Sequence, residues 1–184
     1  MKSSLSLPNV SRRRAPPRRV AAGVTLVELA VVLVVMLLLM SVAAPAMSEF
    51  TANNQVVAAR SSLSATLALA RSEAAKRSRP VIVQPLAGGS DGNEYANGWE
   101  VVVDEDSNGS AGDSEPRIRR VAALPAAVRV AGDASLSFRA SGALSAASDQ
   151  VFTVCRASGS ARGYSVTVTP SGLADVASID DCAT

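Results

Sequence analysis

Histidine is absent from the 184 residues, and aromatic residues make up 3% of the chain. Without histidine, the commonest general base in catalysis is missing. No serine lies in a nucleophile-elbow pattern, and no glycine-rich phosphate loop is present. The sequence therefore argues against an enzyme. Because large rings are scarce, the core must be packed mainly with valine, leucine and alanine.

The chain has little net charge, +2, but the charge is unevenly divided. Residues 1–23 hold six cations and no acid, which leaves 12 cations against 16 acids in residues 24–184. The cations of this leader are Lys2, Arg12, Arg13, Arg14, Arg18 and Arg19. The basic character thus belongs to the leader, and residues 163–184 contain no lysine or arginine. We expect no nucleic-acid partner, because phosphate attraction has little to act on.

Cysteine is also scarce, with Cys155 and Cys182 as the two examples. If this part of the chain is exported, one disulfide is the economical interpretation. It would close a loop of about 27 residues and add about 3–4 kcal/mol in the chain-entropy model. The alternative is two unrelated thiols. Two cysteines without histidine make a poor zinc site.

A long apolar run covers residues 24–47 and contains one charged residue, Glu28. As a helix these residues would span about 36 Å, enough for a bilayer core of about 30 Å. The basic leader predicts a single-pass helix with its N-terminus in the cytoplasm and its C-terminal domain in the periplasm.

Three simpler interpretations compete for this run. A secretory signal would be cut at Ala44-Pro45-Ala46, but the apolar core is longer than the usual ~7–15 residues. A twin-arginine signal would use Arg12-Arg13, and the same length argues against it. A plain signal anchor would leave Glu28 as an accident, although a carboxylate within a membrane costs about 2–3 kcal/mol near the centre.

Cleavage after Gly23 would give Glu28 a partner. Val24 would then carry a free α-amine four residues from Glu28, about one helical turn away. The amine of a neighbouring subunit could serve equally well. A basic leader ending in glycine, followed by G-V-T-L-V-E-L, resembles the prepilin signal of type IV pilins and type II secretion pseudopilins.

This resemblance implies that a prepilin peptidase cuts after Gly23 and that the new N-terminus at Val24 is methylated. It also implies that Glu28 registers each subunit against its neighbours. Pro45 fits the family, whose helices often carry a proline at that depth. Two departures are the valine at the first mature position, where the family usually has phenylalanine, and the long leader.

Beyond the run, residues 48–79 are predicted to continue the helix up to Pro80. One helical face is predicted from the spacing of Val56, Ala59, Leu63, Leu67, Ala70 and Ala74. Residues 80–184 then change to short β-rich runs between turn formers. Predicted strands are Val81–Gln84, Trp99–Val103, Arg117–Ala122, Val128–Val130, Ser135–Phe138, Val151–Cys155 and Tyr164–Thr169.

The order of several weaker motifs resembles a narrower group, the H-type minor pseudopilins and FimT-like minor pilins. These motifs are Ala70–Ala74, Gly98–Val101 and Phe152–Cys155. The resemblance implies an α+β pilin-like fold, in which a long N-terminal helix packs on a small antiparallel sheet. The cysteine pair would close this domain.

The segment from Asp104 to Glu115 matches a calcium-loop pattern. Asp104, Asp106, Asn108 and Glu115 supply oxygen ligands, and Gly109 allows a sharp turn. The flanking residues are predicted to be strands and not the helices of an EF-hand. The alternative is therefore an acidic hairpin loop without an ion.

The expected function is assembly into a periplasmic pseudopilus, as a minor pseudopilin of type II protein secretion in the inner membrane. The alternative is a FimT-like minor pilin that primes a type IV pilus or assists DNA uptake. Expected partners are the prepilin peptidase, other pilins or pseudopilins and an inner-membrane assembly platform, with no required cofactor. A different class of hypothesis is a secreted binding domain released after Ala46.

Overall fold

The structure is a computed structural model that describes residues 23–158 and 162–182, without the side chains of residues 42–46. Residues 1–22 of the predicted leader therefore lie outside the described residues, and the side chains of Ala44-Pro45-Ala46 are not described. Two compact units are present, residues 1–43 and residues 44–184. The elements are α1 (Leu26–Arg77), β1 (Val81–Pro85), β2 (Trp99–Val103), β3 (Arg117–Val121), β4 (Val128–Ala131), β5 (Leu136–Phe138), β6 (Gln150–Arg156), β7 (Gly163–Val168) and β8 (Ala174–Ile179).

Helix α1 has a defined signal at each end. Thr25 is the N-cap, because its hydroxyl oxygen accepts a hydrogen bond from the Glu28 amide at 3.2 Å. At the other end Ser78 adopts a left-handed φ of 52°. The Arg79 amide bonds to the Ala74 carbonyl at 3.3 Å, which is the hydrogen bond of a Schellman motif. Pro80 follows and excludes a further helical turn.

The strands form two four-stranded antiparallel sheets, ordered β3-β2-β1-β5 and β4-β6-β7-β8. The connection between β1 and β2 reaches across to the second sheet. Its Tyr95 amide donates to the Val130 carbonyl at 3.2 Å, and the Val130 amide donates to Asn93 Oδ1 at 2.9 Å. The connection therefore satisfies the backbone amide and carbonyl of Val130, which do not pair with a neighbouring strand.

The predicted helical face supplies one wall of the core. Its six residues are all buried, together with inward-facing residues of both sheets. Tyr95 makes edge-on contacts with two other aromatic residues, Trp99 and Phe152, at centroid separations of 6.0 and 5.4 Å.

The α+β pilin-like prediction is confirmed, with three differences in detail. The sheet is two sheets and not one small one. The strand β8 was missed, since Ala174–Ile179 carries little of the alternation that marks a strand. The helix ends at Arg77, two residues before the predicted limit, because Ser78 already turns the backbone.

Candidate assembly site

The start of α1 brings together the residues expected to act in assembly. Gly23, Val24 and Thr25 precede the helix, and Glu28 lies in its first turn. Thr25 and Glu28 stand in the T-x-x-E spacing of a capping box. Thr25 was not among the predicted site residues, although this spacing is readable from the sequence. Glu28 therefore sits where a carboxylate suits the positive end of the helix dipole.

The helix that follows is apolar and exposed on all sides within its own unit. Every described side chain from residue 23 to residue 41 is exposed, and Leu26, Leu33 and Leu39 expose 83%, 53% and 65% of their surface. Large apolar side chains in a row are costly to leave in water. Burial of these apolar side chains consequently requires contacts that their own unit does not provide.

Among the helices formed by the described residues, none combines the length and the apolar character needed to cross a membrane. The membrane helix predicted at residues 24–47 stays a prediction.

At the other end of the chain the cysteine prediction is confirmed. Cys155 of β6 and Cys182 form a disulfide, and no described cysteine is free. The Cys182 carbonyl also accepts a 2.6 Å hydrogen bond from the Arg129 guanidinium of β4. The C-terminal segment is thereby attached to two strands of the second sheet.

The acidic loop brings its predicted residues together. Carboxylate oxygens of Asp104, Asp106 and Glu115 all lie within 4.8 Å of one another. The loop is also held by its own backbone. The Asn108 and Gly109 amides donate to Asp104 at 3.0 Å each, and the Glu105 and Gly112 amides donate to Glu115 at 2.8 and 2.7 Å.

These hydrogen bonds explain why the segment is rich in acids and turn formers without requiring an ion. The flanks are strands β2 and β3, as predicted, so the loop is not an EF-hand. Next to it, Arg117 makes a 3.1 Å ion pair with the buried Glu100. The calcium site stays a prediction.

A helix that packs on antiparallel sheets and is preceded along the chain by an apolar helical segment is typical of pilin-like proteins. The sequence model of the family described as type II transport protein GspH matches residues 59–172. The chain belongs to this family.

Solved structures agree at the level of the fold. The type IV minor pilin FimU of Pseudomonas aeruginosa, crystallised in space group P21, is similar with a TM-score of 0.58 and 21% identity over 73% of this chain and 99% of that chain. The P65 crystal form gives a TM-score of 0.54 and 20% identity over 68% and 98%. None of the curated proteins matches this chain.

Proposed function

We propose that the chain is a minor pseudopilin of a type II secretion system, cut after Gly23 and assembled through its apolar helix. The proposal is carried by the exposed apolar segment from Leu26 to Met40, which is headed by one carboxylate. In the membrane, lipid covers this segment. In the filament, the helices of neighbouring subunits cover it. The protein has a structural role and no catalytic one.

Glu28 supplies the register between subunits in this proposal. A carboxylate among apolar side chains needs a cationic partner. Cleavage creates one at the Val24 amine, in the same subunit or in its neighbour. A subunit out of register would leave the carboxylate unpaired, at a cost of several kcal/mol.

A minor pilin of a type IV pilus is the second candidate. The similarity of the fold to the FimU minor pilin favours it, whereas the matching family model is described as a type II transport protein. Both candidates require the same cleavage and the same helix-mediated assembly. They differ in the filament that the subunit joins.

Mass spectrometry of the mature N-terminus tests the processing step. We expect the protein purified from its own cells to begin at methylated Val24. A protein that keeps its arginine-rich leader in cells with an active prepilin peptidase would contradict the proposal. A start at Met47 would instead support the secreted binding domain.

Substitutions at the helix start separate registry from helix capping. We expect Glu28→Gln to enter the membrane normally but fail to join filaments, because glutamine keeps a capping side chain and loses the charge. Thr25→Ala loses the N-cap hydroxyl but keeps the charge, and we expect it to assemble. Glu49→Gln, at an exposed acid further along α1, is the matched control. Normal assembly of Glu28→Gln would rule out the registry role.

A deletion strain identifies the filament. We expect loss of type II secretion, restored by the wild-type gene and not by the Glu28→Gln gene, with surface pili unchanged. Lost pili with normal secretion would instead support the minor pilin.

A further inference from the structure

The C-terminal half of α1 and two turns of the sheets enclose a groove of about 540 Å³. This volume is within the range of about 300–1,000 Å³ found for ligand sites. The helix side carries Leu67, Ala68 and Arg71, and the turns contribute Ser141 and Leu173. We call it the Arg71 groove. It lies entirely within the unit formed by residues 44–184.

The Arg71 side chain lies next to two glycines in this groove. Gly142 and Gly172 both have a left-handed φ of 79°. A Cβ on Gly142 would lie 3.3 Å from Arg71 Cγ, and a Cβ on Gly172 would overlap the Gly142 carbonyl and lie 3.2 Å from Arg71 Nε. The absence of side chains on both turns therefore leaves room for the arginine. Glycine is needed here for its backbone conformation and for this space.

The guanidinium has no ion pair or hydrogen bond with any residue that the structure describes. No acidic residue lines the groove. The acid nearest to Arg71 in sequence, Glu73, pairs instead with Arg77 at 2.6 Å and with Lys76 at 3.4 Å. Arg71 is a half-buried residue, and its five guanidinium donors are thus left without a protein acceptor in the described fold.

Other features of the groove indicate which class of ligand it would bind. The Ser141 hydroxyl oxygen accepts the Ala143 amide at 3.4 Å, which leaves its own hydrogen to donate. The exposed residues Ala68, Ala75 and Leu173 provide apolar walls, and Leu173 exposes 57% of its surface. Donors between aliphatic walls suit a carboxylate with aliphatic neighbours.

The strand beside the groove indicates an extended ligand. The first residue of β8, Ala174, lines the groove, and β8 ends its sheet with no outer partner among the described strands. An exposed edge can pair with an added peptide strand through backbone hydrogen bonds. A peptide on β8 would bring a side chain to the groove.

We infer that the Arg71 groove binds an extended acidic segment of another protein chain, with a carboxylate of that segment on the Arg71 guanidinium and aliphatic neighbours against Ala68 and Leu173. The site is separate from the Glu28 region. Its binding is a property of the single subunit and needs no filament.

Calorimetric titration of the full mature chain in detergent tests the site. The probe is acetyl-Leu-Glu-Leu-amide, and acetyl-Leu-Gln-Leu-amide is the uncharged control. We expect the glutamate peptide to bind at least about tenfold more tightly, since a charged and bidentate pair is stronger than a neutral one. Affinity should also fall at high salt.

Three variants make the test specific. Arg71→Gln should weaken binding of the glutamate peptide by at least about tenfold. Leu173→Asp, which puts a carboxylate on the rim, should give a similar loss with Arg71 intact. Arg119→Gln, at an exposed arginine of β3, should bind as the wild type does. Thermal unfolding of each variant confirms that it is folded.

Equal affinity for the two peptides would overturn the inference. So would unchanged binding by folded Arg71→Gln, or no binding of the glutamate peptide up to about 10 mM, which corresponds to a free energy weaker than about −3 kcal/mol.

Discussion

The indole nitrogen of Trp99 donates a 3.1 Å hydrogen bond to the hydroxyl oxygen of Thr66, and both residues are fully buried. Thr66 in turn donates to the Ser62 carbonyl at 2.8 Å. Because Trp99 belongs to β2 and Thr66 to α1, this bond joins the helix to the first sheet by a specific polar contact within an apolar core.

Replacing Thr66 by valine should destabilise the fold by about 1–3 kcal/mol, because the shape is kept while the indole N–H loses its acceptor. Chemical denaturation of the two proteins measures the difference. Thr51→Val is the matched control, since the Thr51 hydroxyl bonds to its own helix at an exposed position. An equal effect at both positions would show that the Trp99 bond contributes little.

Loss of the disulfide should cost about 3–4 kcal/mol, from the entropy of an open 27-residue loop. Cys182→Ser and reduced wild-type protein should give similar values. The bond also depends on Gly163, because a Cβ there would overlap the Sγ atoms of both cysteines. We therefore expect Gly163→Ala to form the disulfide poorly, as measured by thiol titration. Full oxidation of that variant would contradict this steric explanation.

We expect the free energy of unfolding to depend on pH through the Glu94 carboxyl group. Partial burial tends to raise its pKa, but backbone amides, including those of Gly92 and Gly132, outweigh this effect and lower the pKa below its ordinary value. A lowered pKa in the folded state contributes stability above the ordinary pKa, and this contribution is lost as pH falls through the folded value.

We expect Glu94→Gln to be less stable than the wild type at pH about 7, with the difference shrinking towards pH about 3. Thermal unfolding across this range measures it. A constant difference between Glu94→Gln and the wild type at all pH values would show that the carboxylate charge is not responsible.

Removal of the Asp104 carboxylate should destabilise the acidic loop with or without calcium, because the Gly109 amide would lose its acceptor and the Asn108 amide would keep only Asp106. We expect Asp104→Ala to cost about 1–3 kcal/mol in chelator as well as in calcium. A higher melting temperature in calcium, abolished by Asp106→Asn, would instead establish the predicted ion site.

Local patterns were sufficient to predict most elements of the fold. The helix face from Val56 to Ala74 and seven strands follow from spacing and composition, which are properties of neighbouring residues. The eighth strand has no such pattern. It pairs with β7 over six residues, and this pairing supplies what the low strand propensity of alanine, aspartate and serine does not.

The division into two sheets could not be predicted in this way. β4 and β5 are separated by four residues and would make a reasonable hairpin, yet β5 pairs with β1 and β4 pairs with β6. Such choices depend on contacts between distant residues. The Arg71 groove has the same origin, because its turns at Gly142 and Gly172 lie far from Arg71 in sequence.

The outer strand of the first sheet, β3, exposes Arg119 and Arg120 next to Arg117, which is paired with Glu100. Two copies meeting along this strand would place rows of like charge side by side and repel each other. We therefore expect that two subunits at high concentration do not pair edge to edge through β3.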